Sequence, residues 1–77
     1  MDSKTIGRII LDTRQALGMR QDELASVAGL STRSLSAIEN GKPTARLELV
    51  LNALSALGVV VTLTPPADIN IPASVDP

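Results

Sequence analysis

The sequence predicts a small all-α domain of four or five short helices, followed by one C-terminal β-strand. Apolar residues recur at helical spacing from the N-terminus to Leu57. Glycines interrupt this pattern at positions 18, 29, 41 and 58, which suits helices of two to four turns. A dense β-branched run begins at Val59 and is stopped by Pro65 and Pro66, so we expect a strand after the last helix.

Composition excludes several classes of function. The chain has 77 residues and a net charge of −1, with no Cys, His, Phe, Trp or Tyr. Without Cys or His it has no zinc site of the usual kind, no disulfide and no imidazole base, so we expect no enzyme, no metal and no cofactor. Without aromatic residues it lacks the stacking platforms that hold single-stranded nucleic acid. Duplex DNA read by a helix remains compatible with this composition.

The charge distribution is modest for a DNA-binding domain. Residues 1–64 hold seven basic and six acidic residues, a balance of +1, and the segment after Thr64 adds two aspartates and no base. We expect a basic face formed by the cations in or beside the central stretch. These are Arg14, Arg20, Arg33, Lys42 and Arg46. No apolar run has membrane-spanning length or the form of a signal peptide, so we expect a cytoplasmic, nucleoid-associated protein.

The first helix is expected to begin at Asp2 or Ser3 and to run to Gly18. Its core stripe is predicted to contain Ile6, Ile10 and Leu17, with Thr13 on the same side. Ile9 and Leu11 fall off that stripe. They are either incidental surface residues or a contact face for a partner.

The stretch from Gln21 to Gly41 predicts two short helices that cross at a glycine turn. Gly29 tolerates the positive φ of a sharp turn after the first of them. Ser31 can cap the second helix, and Gly41 can end it. The apolar positions of this pair are Leu24, Ala25, Ala28, Leu35 and Ile38.

This pattern resembles the helix-turn-helix of the lambda/434-repressor-like, or XRE, family. The matching positions are Gln21, Leu24, Ala25, Ala28-Gly29, Ser31, Leu35, Ile38 and Glu39-Asn40-Gly41. A helical hairpin without function is the alternative, but so many matches in register disfavour it. The resemblance implies a lambda-repressor-like domain of four or five helices that binds a palindromic operator in double-stranded DNA as a homodimer.

The resemblance also implies which residues touch DNA. Thr32, Arg33 and Ala37 would face bases in the major groove, and the planar fork of Arg33 suits guanine O6 and N7. Contacts to the DNA backbone would come from Gln21, Ser34, Asn40, Lys42, Arg46 and Arg20. At Arg20 the chain departs from the family, which often has a capping Ser or Thr there. We therefore expect a lost cap and an arginine directed at phosphate.

A fourth helix is expected from a cap at Thr44 to about Leu57. Its apolar stripe would comprise Leu47, Val50, Leu51, Leu54 and Leu57. The strand that follows would comprise Val59, Val60, Val61, Thr62, Leu63 and Thr64. Because it has no partner strand in its own chain, we expect it to pair with the same strand of a second subunit. The alternative, a strand packed on its own helices, leaves backbone groups unpaired.

The C-terminal half is similar to HipB-type antitoxins. The similarity rests on Gly41-Lys42-Pro43-Thr44, Arg46-Leu47, Leu57-Gly58 and the valine-rich strand. It implies a repressor of its own operon that also neutralises a HipA-type Ser/Thr kinase toxin. Two alternatives stay open: a stand-alone XRE regulator of a phage or restriction system, and a partner-binding subunit with weak DNA binding.

The expected organisation has three parts. Residues 1–58 form the helix-turn-helix domain, residues 59–64 the dimerisation strand, and residues 65–77 a flexible proline-rich tail. Ile69 and Ile71 either dock the tail on a partner or belong to a segment that only aids solubility.

Overall fold

The computed structural model describes residues 1–69, which contain four α-helices and no strand. Their bounds are α1 Ser3–Ala16, α2 Gln21–Ala28, α3 Thr32–Glu39 and α4 Leu47–Ala56. The helix α3 packs against α1 and α2, and α4 packs across α2. The all-helical class predicted from the sequence is thus confirmed. None of the helices within residues 1–69 has the length and apolar character needed to cross a lipid bilayer.

The helix α1 begins at an aspartate cap and ends earlier than expected. The Oδ1 atom of Asp2 accepts a hydrogen bond from the backbone N–H of Thr5 at 2.8 Å. The helix ends at Ala16, and Leu17 is 57% exposed instead of lying in the core. The physical reason is that the chain turns at Gly18, which has a φ of +70°, and Met19 beyond this turn packs against the core in place of Leu17.

The turn between α2 and α3 follows the prediction. Gly29 adopts a φ of +74°, and the N–H of Leu30 donates to the carbonyl of Ala25 at 2.8 Å, which closes the end of α2. Ser31 then caps α3, because its Oγ accepts from the N–H of Ser34 at 3.0 Å. The other three helices end in the same glycine motif.

The core is built from short contributions of all four helices. It comprises Ile10, Leu24, Ala25, Leu35, Ile38, Ala53, Leu54 and Leu57. The helices α1 and α3 approach each other closely at Gly7 of α1, which lies directly against the carbonyl of Ile38 near the end of α3. The position therefore accepts no side chain without movement of the backbone.

The helix α4 begins two residues later than expected and buries a narrower face. Its N-terminal flanking residue is Arg46, which provides no side-chain cap, and Thr44 lies in the turn before it. The inner face is centred on Ala53, Leu54 and Leu57. Consequently Leu47 and Leu51 point away from the core and are 70% and 43% exposed.

The segment after α4 does not form the expected strand in the single chain. The residues concerned are Val59, Val60, Val61, Thr62, Leu63 and Thr64. Val59 is half-buried and its N–H donates to the carbonyl of Leu54 at 2.9 Å, whereas residues 60–64 are exposed. A strand is defined by hydrogen bonds to a neighbouring strand, and the single chain offers none within residues 1–69. Ile69 lies in an exposed turn, and Ile71 lies outside the described residues.

Candidate nucleic-acid interface

The helix α3 has a buried face that anchors it in the core and an N-terminal end that is exposed. Leu35 is fully buried and Ile38 is 4% exposed, so these two residues fix the helix in the core. Thr32 and Arg33, at the start of the helix, are exposed. Ala37, the third residue predicted to face bases, lies one turn further along and is partly covered. The N-terminal end of α3 can therefore enter a groove of duplex DNA without rearrangement of the protein fold.

The arginine and lysine side chains differ in whether they form an ion pair. Within residues 1–69, Arg8, Arg14, Arg20 and Arg46 each form an ion pair with a carboxylate. Arg33 is the one arginine of this region that forms none, and Lys42 is likewise unpaired. An unpaired guanidinium at the start of an anchored helix is free to bind a base or a phosphate.

Arg20 is engaged by neighbouring acids. Its Nε donates to Oδ1 of Asp22 at 3.1 Å and lies 3.6 Å from Oε1 of Glu23. The hydrogen bond to Asp22 raises the pKa of the Arg20 guanidinium. The backbone N–H of Arg20 donates to Glu23 Oε1 at 2.8 Å, so a glutamate compensates part of the missing cap. Because exposed ion pairs are weak, Arg20 can exchange its partner for a phosphate at small cost.

A shallow groove of about 180 Å³, the α3–α4 groove, borders the outer side of α3. It is lined by Ser34, Ala37, Ile38, Lys42, Thr44, Ala45, Arg46 and Leu49. Arg46 Nη2 lies 3.5 Å from Oε2 of Glu48, and both side chains are highly exposed. The groove combines two cations with two hydroxyl groups, which is chemistry suited to a phosphate.

Asn40 has a structural role at the end of α3. Its Nδ2 donates to the carbonyl of Ser36 at 2.9 Å, and its own backbone N–H donates to the same oxygen at 3.0 Å. The residue is exposed. It can keep this role and still contact a phosphate with the remaining amide hydrogen.

Arg14 does not belong to the basic face on which it was expected. It is 9% exposed, and its Nε and Nη2 donate to the two carboxylate oxygens of Glu39 at 2.7 and 3.1 Å. Its Nη1 donates to the carbonyl of Met19 at 2.9 Å. The Glu39 carboxylate raises the pKa of the Arg14 guanidinium, and burial opposes this rise. The spacing of four residues from Ile10 was the sequence signal that Arg14 faces inward.

Gln21 joins the same buried pair. Its side-chain Nε2 donates to Oε1 of Glu39 at 3.0 Å, and the residue is half-buried at the start of α2. Sequence reasoning placed Gln21 at the DNA backbone but assigned no partner within the protein. Glu39 therefore connects a predicted contact residue to the core of the domain.

Comparison with known proteins identifies the family. A helix-turn-helix family model matches residues 10–60, which is more than half of the chain. The protein belongs to the helix-turn-helix family. The match contains both helices of the predicted motif, α2 and α3, together with the glycine turn between them.

Two relatives support the same assignment. The chain is 40% identical over 63 residues to y4mF of Sinorhizobium fredii, described as an uncharacterized HTH-type transcriptional regulator, with 82% of this chain and 83% of the relative covered. It is 30% identical over 56 residues to an uncharacterized HTH-type transcriptional regulator of Haemophilus influenzae, covering 73% of this chain and 57% of the relative. The similarity to y4mF thus extends over most of both proteins.

Membership of the helix-turn-helix family identifies α3 as the second helix of the motif. The helix α2 is the first helix of the motif, and α3 is the second, which family members insert into DNA. All residues expected to touch bases or phosphates fall within the matched region. The segment 59–64 extends four residues beyond it.

Proposed function

We propose that this protein is a sequence-specific DNA-binding transcriptional regulator that acts as a repressor. The observation that carries the proposal is the unpaired, exposed Arg33 at the capped N-terminus of α3. Two relatives described as HTH-type transcriptional regulators support it.

In this proposal α3 enters the major groove with its N-terminal end foremost. Arg33 donates two hydrogen bonds to O6 and N7 of a guanine, the contact that best distinguishes one base pair from the others. Thr32 reaches a neighbouring base with its hydroxyl, and Ala37 offers a methyl contact to a thymine. Because Ser31 and Leu35 already fix this turn, little backbone conformational entropy is lost on binding.

Phosphate contacts set the position of the motif on the duplex. Ser34, Lys42 and Arg46 would hold one phosphate in the α3–α4 groove. Asn40, Gln21 and Arg20 would make further contacts to the DNA backbone. Arg20 and Arg46 must release their exposed acidic partners first, which lowers their contribution.

We also propose a homodimer formed through residues 59–64. Residues 60–64 make no hydrogen bond to other backbone groups within residues 1–69. Val60 and Val61 line an apolar groove of about 350 Å³, together with Leu51, Leu54, Ser55, Gly58 and Val59. Pairing of two such segments across a two-fold axis would satisfy the backbone and cover the exposed valines. A palindromic operator would require the two α3 helices of this dimer to lie about 34 Å apart.

The finer role that we propose is that of a HipB-like antitoxin in a toxin-antitoxin system. The sequence between Gly41 and Leu47 and the valine-rich end support it. The protein would repress its own operon in the cytoplasm, at the nucleoid, and neutralise a HipA-type Ser/Thr kinase. A partner-binding subunit with weak DNA binding is the alternative that the isoelectric point of about 5.1 and the neutralised Arg20 and Arg46 favour.

A binding titration tests the proposed function. The probe is the DNA directly upstream of the protein's own gene, compared with random duplex in low and moderate salt. Arg33→Ala should weaken binding to the specific duplex by about 1–3 kcal/mol and relax preference at one base pair. Arg8→Ala is the matched control, because this exposed arginine lies on α1 and pairs with Asp12. Equal affinity for upstream and random DNA would refute repression of the protein's own operon.

The dimer is tested separately by Val61→Pro, which removes a backbone donor from the proposed strand. Val61→Thr keeps the donor and the β-branched shape and serves as control. Light scattering should show a dimer for the native chain and the Thr variant, and a monomer for the Pro variant. A Pro variant that stays dimeric and binds DNA would exclude pairing through this segment.

A further inference from the structure

We infer that Glu39 is a positioning residue for DNA binding, because it fixes the orientation of the Gln21 side-chain amide that faces the duplex. The inference rests on the proposed function and adds a residue that does not itself touch DNA. It is drawn from one juxtaposition, the contact of the first residue of α2 with the last residue of α3.

The carboxylate of Glu39 is held rigidly. Its side chain is 4% exposed and accepts three hydrogen bonds, two from Arg14 at 2.7 and 3.1 Å and one from Gln21 at 3.0 Å. The bidentate guanidinium fixes the plane of the carboxylate. Gln21 is therefore bonded to an acceptor that cannot rotate away from it.

This bond selects one of the two orientations of the Gln21 amide. An ionised carboxylate only accepts hydrogen bonds, so the Nε2 atom must face Glu39. A half-turn of the amide would bring its carbonyl oxygen against the carboxylate oxygen and lose the bond. One N–H of the amide remains to donate to DNA, and within residues 1–69 the carbonyl Oε1 accepts no hydrogen bond.

A fixed amide binds better than a free one. A free glutamine side chain must give up rotamer freedom when it contacts a phosphate or a base, and this loss reduces affinity. The contact with Glu39 imposes that loss during folding. Arg14 contributes indirectly, because it fixes Glu39 and is too buried to contact DNA itself.

Glu39→Gln tests the inference because it reverses the atom that Gln21 meets. Arg14 donates to both oxygens of Glu39, and its shorter bond, at 2.7 Å, is to Oε2, whereas Gln21 donates to Oε1. We therefore expect the new carbonyl oxygen to keep the Oε2 position and the new amide nitrogen to replace Oε1, the atom that Gln21 meets. The Gln21 amide must then turn its own oxygen inward or lose its partner. The variant therefore removes the preferred orientation of the Gln21 amide and keeps the volume of the side chain at position 39.

The experiment is a double-mutant cycle on the full chain, with Glu39→Gln, Gln21→Ala and the double variant. The probe is a duplex that the native protein selects from a randomised 30-base-pair library. Each single change should weaken binding about three- to tenfold, and the double variant should bind no more weakly than Gln21→Ala alone. If Glu39→Gln costs the same factor in both backgrounds, Glu39 acts only through the fold and the inference is wrong.

A second variant covers the case in which Glu39→Gln does not fold. Arg14→Met with Glu39→Leu replaces the buried pair by apolar side chains of similar size, an exchange that proteins often tolerate. This pair also removes the acceptor, so the same cycle with Gln21→Ala applies. It should again show no further loss in the Gln21→Ala background.

The amide is also observable without DNA. In the free protein, NMR should show slow hydrogen exchange for the Gln21 side-chain amide, lost in Glu39→Gln, with the exposed Gln15 as the control. A Gln21 amide that behaves like that of Gln15 would overturn the inference. Failure of the native protein to select any duplex would instead refute the proposed function, so the two failures are distinguishable.

Discussion

Gly7 of α1 and Ile38 of α3 meet backbone to backbone, so that a Cβ atom at position 7 would overlap the carbonyl oxygen of Ile38. The contact lies where α1 crosses the C-terminal end of α3. The depth at which α3 sits in the domain is set partly by the absence of one side chain. The exposed N-terminal end of α3 depends on this placement.

We expect Gly7→Ala to destabilise the protein although alanine is the better helix former. The gain in helix propensity is about 1 kcal/mol, and overpacking against a backbone carbonyl costs about 1–3 kcal/mol or more. Urea unfolding followed by far-UV circular dichroism measures the difference, since the chain has no aromatic residue for fluorescence.

Gly18→Ala is the matched control for that experiment. At position 18 a Cβ atom would meet nothing within 4 Å, and only the φ of +70° opposes the change, at a cost of about 1 kcal/mol. A Gly7→Ala protein as stable as the native chain would show that α1 and α3 can separate freely.

Removing one partner of the buried ion pair should destabilise the protein more than replacing both partners. Arg14→Met leaves Glu39 buried and unpaired and should lower the free energy of unfolding by about 3 kcal/mol. Arg14→Met with Glu39→Leu should recover most of that loss. Chemical unfolding of both variants measures their free energies of unfolding. A double variant no more stable than Arg14→Met would contradict the prediction that an unpaired buried charge causes the loss.

Lys42 should contribute one phosphate contact, visible in the salt dependence of binding. It is unpaired within residues 1–69 and lines the α3–α4 groove. Lys42→Ala should therefore weaken binding to all duplexes and reduce the slope of log affinity against log salt by about 0.9. Arg8→Ala should leave the slope unchanged. An unaltered slope in the Lys42→Ala protein would place the phosphates elsewhere.

The cap at Asp2 should make stability depend on pH in acid. The hydrogen bond from the Thr5 N–H lowers the pKa of Asp2 below its ordinary value of 3.8. A carboxyl group whose pKa is lower in the folded state stabilises the fold above the unfolded pKa, and this contribution is lost as pH falls through the folded pKa.

Thermal unfolding between pH 2 and 6 measures this effect. Asp2→Asn keeps an acceptor at the cap, so its melting temperature should change less over this range than that of the native chain. Asp2→Ala should melt lower than the native protein at pH 6 and approach it in acid. Identical pH profiles for the native chain and Asp2→Asn would show that Asp2 is not the group responsible.

The helix-turn-helix could be predicted because its signals are local. The Ser31 cap acts over three residues, and Gly29 needs only its own positive φ. Leu35 and Ile38 are three residues apart and lie on one face of the helix. This spacing predicts a buried face whichever element packs against it. Family membership and structure agree with this part of the prediction.

Two of the errors concern packing partners that lie elsewhere in the chain and that local patterns do not identify. Arg14 was placed on the surface because arginine is rarely buried, and its partner lies 25 residues away in the chain. Leu47 and Leu51 were placed in the core because α4 is apolar over more of its circumference than the domain can cover. The roles of Thr32, Arg33 and the other predicted contact residues toward DNA remain predictions.

The capped and anchored construction of α3 has a consequence for how the protein can change over evolutionary time. The side chains that hold the helix occupy its C-terminal half and inner face, whereas Thr32 and Arg33 occupy the outer N-terminal turn. Substitutions at these two positions leave the packing intact. In the proposed function, in which these two residues read bases, a new operator preference would arise by exchange of two surface residues, without loss of stability of the fold.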